Sequence, residues 1–214
     1  MSDLYTVQVI NNSGAAGKVY SLFSAKSVIE GGGNTADTTK SIVLSRSRKL
    51  PAGGEAVFRF DNTFYGFMGS TSGSQLSNGS IIDSQTYKLV TVGTSTLSGS
   101  VLQLNKDSDL VAADDDDDNP PYNDVISVAR GKSLGAGITP GPINCVQLKA
   151  GVTYTFTVDK AVYVKADDLI EKSIQTAPAP DDKKAIKVVF PARMKKATVV
   201  EDSKGGFTVD YSPA

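Results

Sequence analysis

Val152-Thr153-Tyr154-Thr155-Phe156-Thr157-Val158 is the run that decides the fold class. Apolar residues take every second position and threonine fills the others. A period of two puts Val152, Tyr154, Phe156 and Val158 on one face of a pleated strand, and β-branched threonine suits the opposite face. The same period recurs on either side of it. At residues 5–10, Tyr5, Val7 and Val9 alternate with Thr6 and Gln8. At residues 55–60, Ala56, Phe58 and Phe60 point one way and Glu55, Val57 and Arg59 the other. Near the end, residues 197–201 and 206–211 flank Asp202-Ser203-Lys204-Gly205, which reads as a hairpin.

Further strands are expected at residues 18–23, 41–44, 63–69, 86–92, 100–104, 161–164 and 185–190. Asn11-Asn12-Ser13-Gly14 is a turn cluster, so residues 5–10 and 18–23 read as a hairpin or an adjacent strand pair. Asp61-Asn62 reads as a turn, and Gly66 marks a bulge in an otherwise apolar run. Residues 70–84, rich in Ser, Gly, Thr and Asn, read mostly as loop. Residues 106–144 are the least regular stretch, with four of the nine prolines and one shorter element at 124–129. One helix is a candidate, at 166–176, with Asp167 or Asp168 as its cap and Leu169, Ile170 and Ile174 near helical spacing. Ala177-Pro178-Ala179-Pro180 after it is a stiff spacer.

Ten or more short strands without alternating helices argue for an all-β fold, an antiparallel two-sheet β-sandwich with at most one short helix. Residues 1–214 read as a single domain carrying an irregular acidic loop at about 106–124.

The composition excludes several chemistries. The chain has no His and a single Cys, Cys145. Imidazole-dependent triads are therefore impossible, as are an internal disulfide and a Cys-rich zinc site. Cys145, between Asn144 and Val146, reads as a half-buried strand residue. The formal net charge is −1, which does not favour nucleic acid as a partner. No apolar run approaches the length of a membrane span. Residues 1–14 lack a basic start followed by a long apolar run, so a cytoplasmic location is expected, although a chain with its signal removed would read the same.

Most motif outlines fail on inspection. Gly131-Lys132-Ser133 ends like a phosphate-binding loop, but Ile126 stands where that loop needs Gly. Gly69-Ser70-Thr71-Ser72-Gly73 outlines a nucleophile elbow with Thr in the nucleophile's place. The charged feature that remains is Asp114, Asp115, Asp116, Asp117 and Asp118, with Asp107, Asp109 and Asp124 nearby. Adjacent carboxylates repel one another, and Ca²⁺ with its six to eight oxygen ligands would relieve that repulsion. The run lacks the Gly and Glu of a helix-flanked calcium loop, because Asn119 and Val125 occupy those places. A solvated acidic loop is the competing reading. Without Trp, a sugar-stacking platform would have to come from Tyr65, Phe67 or Tyr122, residues that suit core or loop packing better.

The opening Tyr5-Thr6-Val7-Gln8-Val9-Ile10-Asn11-Asn12-Ser13-Gly14, then Tyr20-Ser21-Leu22-Phe23 and Phe64-Tyr65-Gly66-Phe67-Met68-Gly69, resembles a group of small fungal β-rich proteins. That resemblance implies a β-rich fold and brings no activity or catalytic residue with it.

The expected function is non-enzymatic binding or assembly, with loops on a rigid scaffold recognising a protein, another copy of the chain or a carbohydrate. Two alternatives stand beside it. One is a cofactor-free enzyme using Asp/Glu acid–base chemistry. The other is a calcium-dependent module centred on the Asp run.

Overall fold

The computed structural model describes residues 4–31, 33, 39–71, 76–90, 101–103, 124–133, 137–147, 153–176, 178 and 182–214. All regular structure among them is strand, as the alternation predicts. No helix of the described residues is long and apolar enough to cross a membrane.

The first strand is β1 (Tyr5–Asn11), whose Val7, Val9 and Asn11 are fully buried. It pairs antiparallel with β5 (Glu55–Thr71), from Tyr5↔Phe60 to Ile10↔Glu55. On its other edge it pairs parallel with β14 (Lys196–Glu201), which turns back into β15 (Phe207–Ser212). The C-terminal hairpin is therefore as expected. Residues 5–10 and 18–23, in contrast, are not partners. The Asn-Gly cluster does not close a hairpin, because the buried Asn11 amide donates to Ala15 O and Pro51 O and leads the chain away, toward an isolated bridge between Lys18 and Leu50.

Residues 18–23 feed β2 (Ser21–Ser24) instead. It lies between β4 (Lys40–Arg46) and β11 (Val162–Lys165), and β13 (Ala185–Val188) follows β11. From β4 the ladder continues through β9 (Ile138–Gln147) and β8 (Asp124–Ser133) to β5. The order is β13-β11-β2-β4-β9-β8-β5-β1-β14-β15, with β6 (Ile82–Val90) attached to β5 and β12 (Ile174–Gln175) to β4. A separate sheet holds β3 (Val28–Glu30), β10 (Thr153–Thr157) and β7 (Val101–Gln103).

The layering differs from two facing sheets. The main sheet is mixed and curls until its ends, β13 and β15, lie side by side, so it is a nearly closed barrel. At the seam Val189 N–H donates to the Tyr211 hydroxyl (3.2 Å), and Phe190 packs edge-on to Tyr5, Phe60 and Tyr211. The curl comes from β5. Asp61-Asn62, expected to end a strand, makes an irregularity inside one. The Asp61 carboxylate accepts the Thr63 N–H and hydroxyl (both 2.9 Å), which shifts the register without ending the ladder. One bent strand thus serves β1 with its first half and β6 with its second. A second register shift falls at Met68/Gly69, not at Gly66.

The main core gathers Val7, Val9, Leu22, Leu44, Phe58, Phe60 and Val199, and the small sheet adds Ile29 and Tyr154 to it. A second cluster holds Ile42, Phe67, Ile82, Ala129, Cys145 and Ile174. Cys145 is fully buried there, not half-buried.

The helix expected at 166–176 does not form. Its place is taken by an irregular strap that ends in β12. Ile170 is 56% exposed, so there is no apolar stripe to bury. Lys172 sits at φ 63, which breaks helical geometry. Val43 binds the strap on both main-chain groups, accepting from Lys172 N–H (2.9 Å) and donating to Ser173 O (3.0 Å).

Candidate functional site: a cationic cleft

The site starts from Arg130-Gly131-Lys132 on β8. Arg130 lies opposite Phe64 and Lys132 opposite Phe60, so both cations share the face that looks into the barrel. Arg130 is 1% exposed and Lys132 4%. A charge this deep must be paired or fully hydrogen-bonded.

Arg130 is satisfied mainly by main chain. Its Nε donates to Asp61 O (2.8 Å), and its Nη2 to Lys160 O (3.1 Å) and to Asn62 Oδ1. Its guanidinium lies 4.2 Å from the centroid of the Phe60 ring. Burial pushes its pKa down to about 9, with the Asp61 carboxylate opposing, so it stays charged at neutral pH. Gly131 is required beside it, because a Cβ there would stand 2.2 Å from Asp61 Oδ1. Arg130 thus locks the bend of β5 from within.

Lys132 does something different. Its stem crosses Gly141, where a Cβ would press on Leu44 Cδ1 (2.7 Å) and Lys132 Cδ (3.0 Å). Its Nζ donates to Leu44 O (3.1 Å) and pairs with Glu171 of the strap. Lys132 sits at the inner end of a cleft of about 450 Å³, a size suited to a bound group. Residues 44–48 and 55–59 line the cleft, and Leu22, Leu44 and Phe58 supply its apolar part.

Four cations, Arg46, Arg48, Arg59 and Lys132, line the cleft against one acid, Glu55. Glu55 accepts from Gln8 Nε2 (2.6 Å). Arg46 is paired with Asp168 of the strap (2.7 Å) and Lys132 with Glu171. Arg48 and Arg59 are exposed and have no acid partner among the described residues. The strap therefore neutralises half of the cations and leaves the other half facing solvent.

The residues singled out from the sequence lie elsewhere. Phe67 is 1% exposed inside the second cluster. Tyr65 packs against that cluster, and burial, with Asp61 adding, raises its phenol above the ordinary range. Tyr122 and Asp114, Asp115, Asp116, Asp117 and Asp118 fall outside the described residues. Among the described residues no three acids or Cys gather as a metal site would require. The four cations of the cleft went unnoticed in the sequence because they come from three strands and a loop. The local signal for the cleft was Arg46-x-Arg48, at the end of β4.

No protein-family model, curated protein or solved structure matches the chain.

Proposed function

We propose that the chain is a non-enzymatic binding protein that takes an anionic group of its partner into the cleft between β4 and β5. One observation carries this reading. Arg48 and Arg59 both line the cleft and have no ion-pair partner among the described residues, while Arg46 and Lys132 each have one. Guanidinium groups present rigid forks of donors matched to carboxylate and phosphate oxygens. Arg59 stands on a strand that β1 pairs along one edge, which holds its main chain in place before a ligand arrives.

The test is calorimetric titration with inorganic phosphate and with poly-glutamate at low salt. Binding should fall at least tenfold in the Arg48→Gln/Arg59→Gln double variant, whose two sites are exposed, and should weaken as ionic strength rises. Equal binding by wild type and variant, or none by either, overturns the proposal.

A further inference from the structure

The strap shows how this region holds an acidic peptide. Its main chain bonds to Val43 of β4 through Lys172 N–H and Ser173 O, and its carboxylates reach sideways to Arg46 and Lys132. Backbone bonds and two ion pairs act together along one strand edge. Strand β5 offers the same parts, and no described strand pairs with them on the side away from β1.

The edge can be read from the hydrogen bonds of β1. Asn11 N–H donates to Gly54 O (2.9 Å), whereas Asn12 N–H turns the other way, to Glu201 O (2.9 Å). Main-chain groups alternate between the two edges of a strand, so Val9 and Val7 face β5 and bond with Ala56 and Phe58. Glu55 and Val57 must then direct their N–H and C=O away from β1, toward the cleft. Strand β8 begins to pair with β5 only at Phe60, so among the described residues no strand takes up those groups. Val57 stands beside them, 49% exposed. Arg59 follows on the same strand, and Arg48 lines the same cleft.

We infer that the partner's anionic group is carried on an extended acidic peptide segment, which adds as a short strand along Glu55–Arg59 and sets its carboxylates on Arg48 and Arg59. This rests on the anion-binding reading of the cleft and names its ligand. Main-chain bonds supply affinity in this mode of recognition, and alternate side chains supply selectivity. The segment would use β5 as the strap uses β4.

Fluorescence anisotropy on the full chain tests it with a labelled hexapeptide alternating threonine and aspartate. Three comparisons accompany it: the asparagine version, a version N-methylated at alternate residues, and inorganic phosphate as competitor. The acidic peptide should bind and the asparagine peptide should not. N-methylation, which removes ladder donors but keeps every charge, should cost about fivefold for each bond lost, at about 1 kcal/mol per bond. Arg48→Gln and Arg59→Gln should each weaken the acidic peptide. If the N-methylated peptide binds as well as the parent, the cleft reads charge alone. Strand addition then falls while the anion-binding reading stands. If neither peptide nor phosphate binds, both fall. Unchanged peptide affinity in the two arginine variants puts the peptide elsewhere and overturns the inference.

Discussion

Tyr20 shows how polar residues are built into this interior. Its side chain is fully buried, and its hydroxyl donates to Glu201 Oε2 (2.5 Å), whose other oxygen takes Lys18 Nζ (2.7 Å). Burial first, and then the neighbouring carboxylate, raise the phenol's pKa well above the ordinary range, so the hydroxyl keeps its proton to donate. Tyr20→Phe leaves Glu201, 2% exposed, with one donor fewer, and should cost about 1–3 kcal/mol in urea unfolding. Arg130→Ala should cost more, about 3–5 kcal/mol, because it strands the carbonyls of Asp61 and Lys160 and opens a cavity against Phe60. The sequence could not disclose Arg130's role, since two of its partners are main-chain oxygens that carry no residue signature. Phe58, Phe60 and Val9 were legible as core because alternation alone assigns them a face.

Elements were legible where local chemistry and tertiary context agree. The β14–β15 hairpin is the clearest case. Asp202 Oδ1 accepts Lys204 N–H (2.8 Å) and Gly206 N–H (2.9 Å), and Gly205 takes φ +77, so the turn follows from its own residues. These bonds hold the Asp202 carboxyl below the ordinary aspartate range. A depressed folded-state pKa stabilises above the unfolded value and is lost as pH falls through the folded one. Asp202→Ala should therefore be less stable than wild type at neutral pH, and the gap should close in acid, below the usual carboxylate range, when thermal melts are compared across pH. The strap carries residue types that suit a helix, Asp167 and Asp168 before Leu169 and Ile170, yet Arg46, Lys132 and Val43 bind it in another shape. Its grip suggests a gain-of-binding variant. Glu171→Gln frees the Lys132 ammonium, and phosphate affinity measured by calorimetry should rise a few-fold. The register shift at Met68/Gly69 is equally specific, since a Cβ on Gly69 would lie 2.2 Å from Asp83 O. Gly69→Ala should lower the melting midpoint by loosening β6 from β5.

At the scale of the whole molecule, the sequence yields the strand class and most strand positions but not the partners. Period-two alternation states which side chains face inward and is silent on which strand lies alongside. The parallel match of β1 with β14 has no local signal at all, because the two segments lie at opposite ends of the sequence. The curl into a barrel was hidden for a related reason. It depends on β5 continuing through a turn-like dipeptide, and Arg130, from a distant part of the chain, holds it there.

The pairing of β1 with β14 has a kinetic consequence. A ribosome releases Tyr5–Asn11 long before Lys196–Glu201 exists, so the nascent chain carries β1 with one edge bare. Contacts between remote segments also slow folding, which leaves that edge open to neighbours until Lys196–Glu201 has emerged. Chains halted at residue 190 should accordingly collect in the insoluble fraction or on chaperones, and those extended to Ala214 should escape.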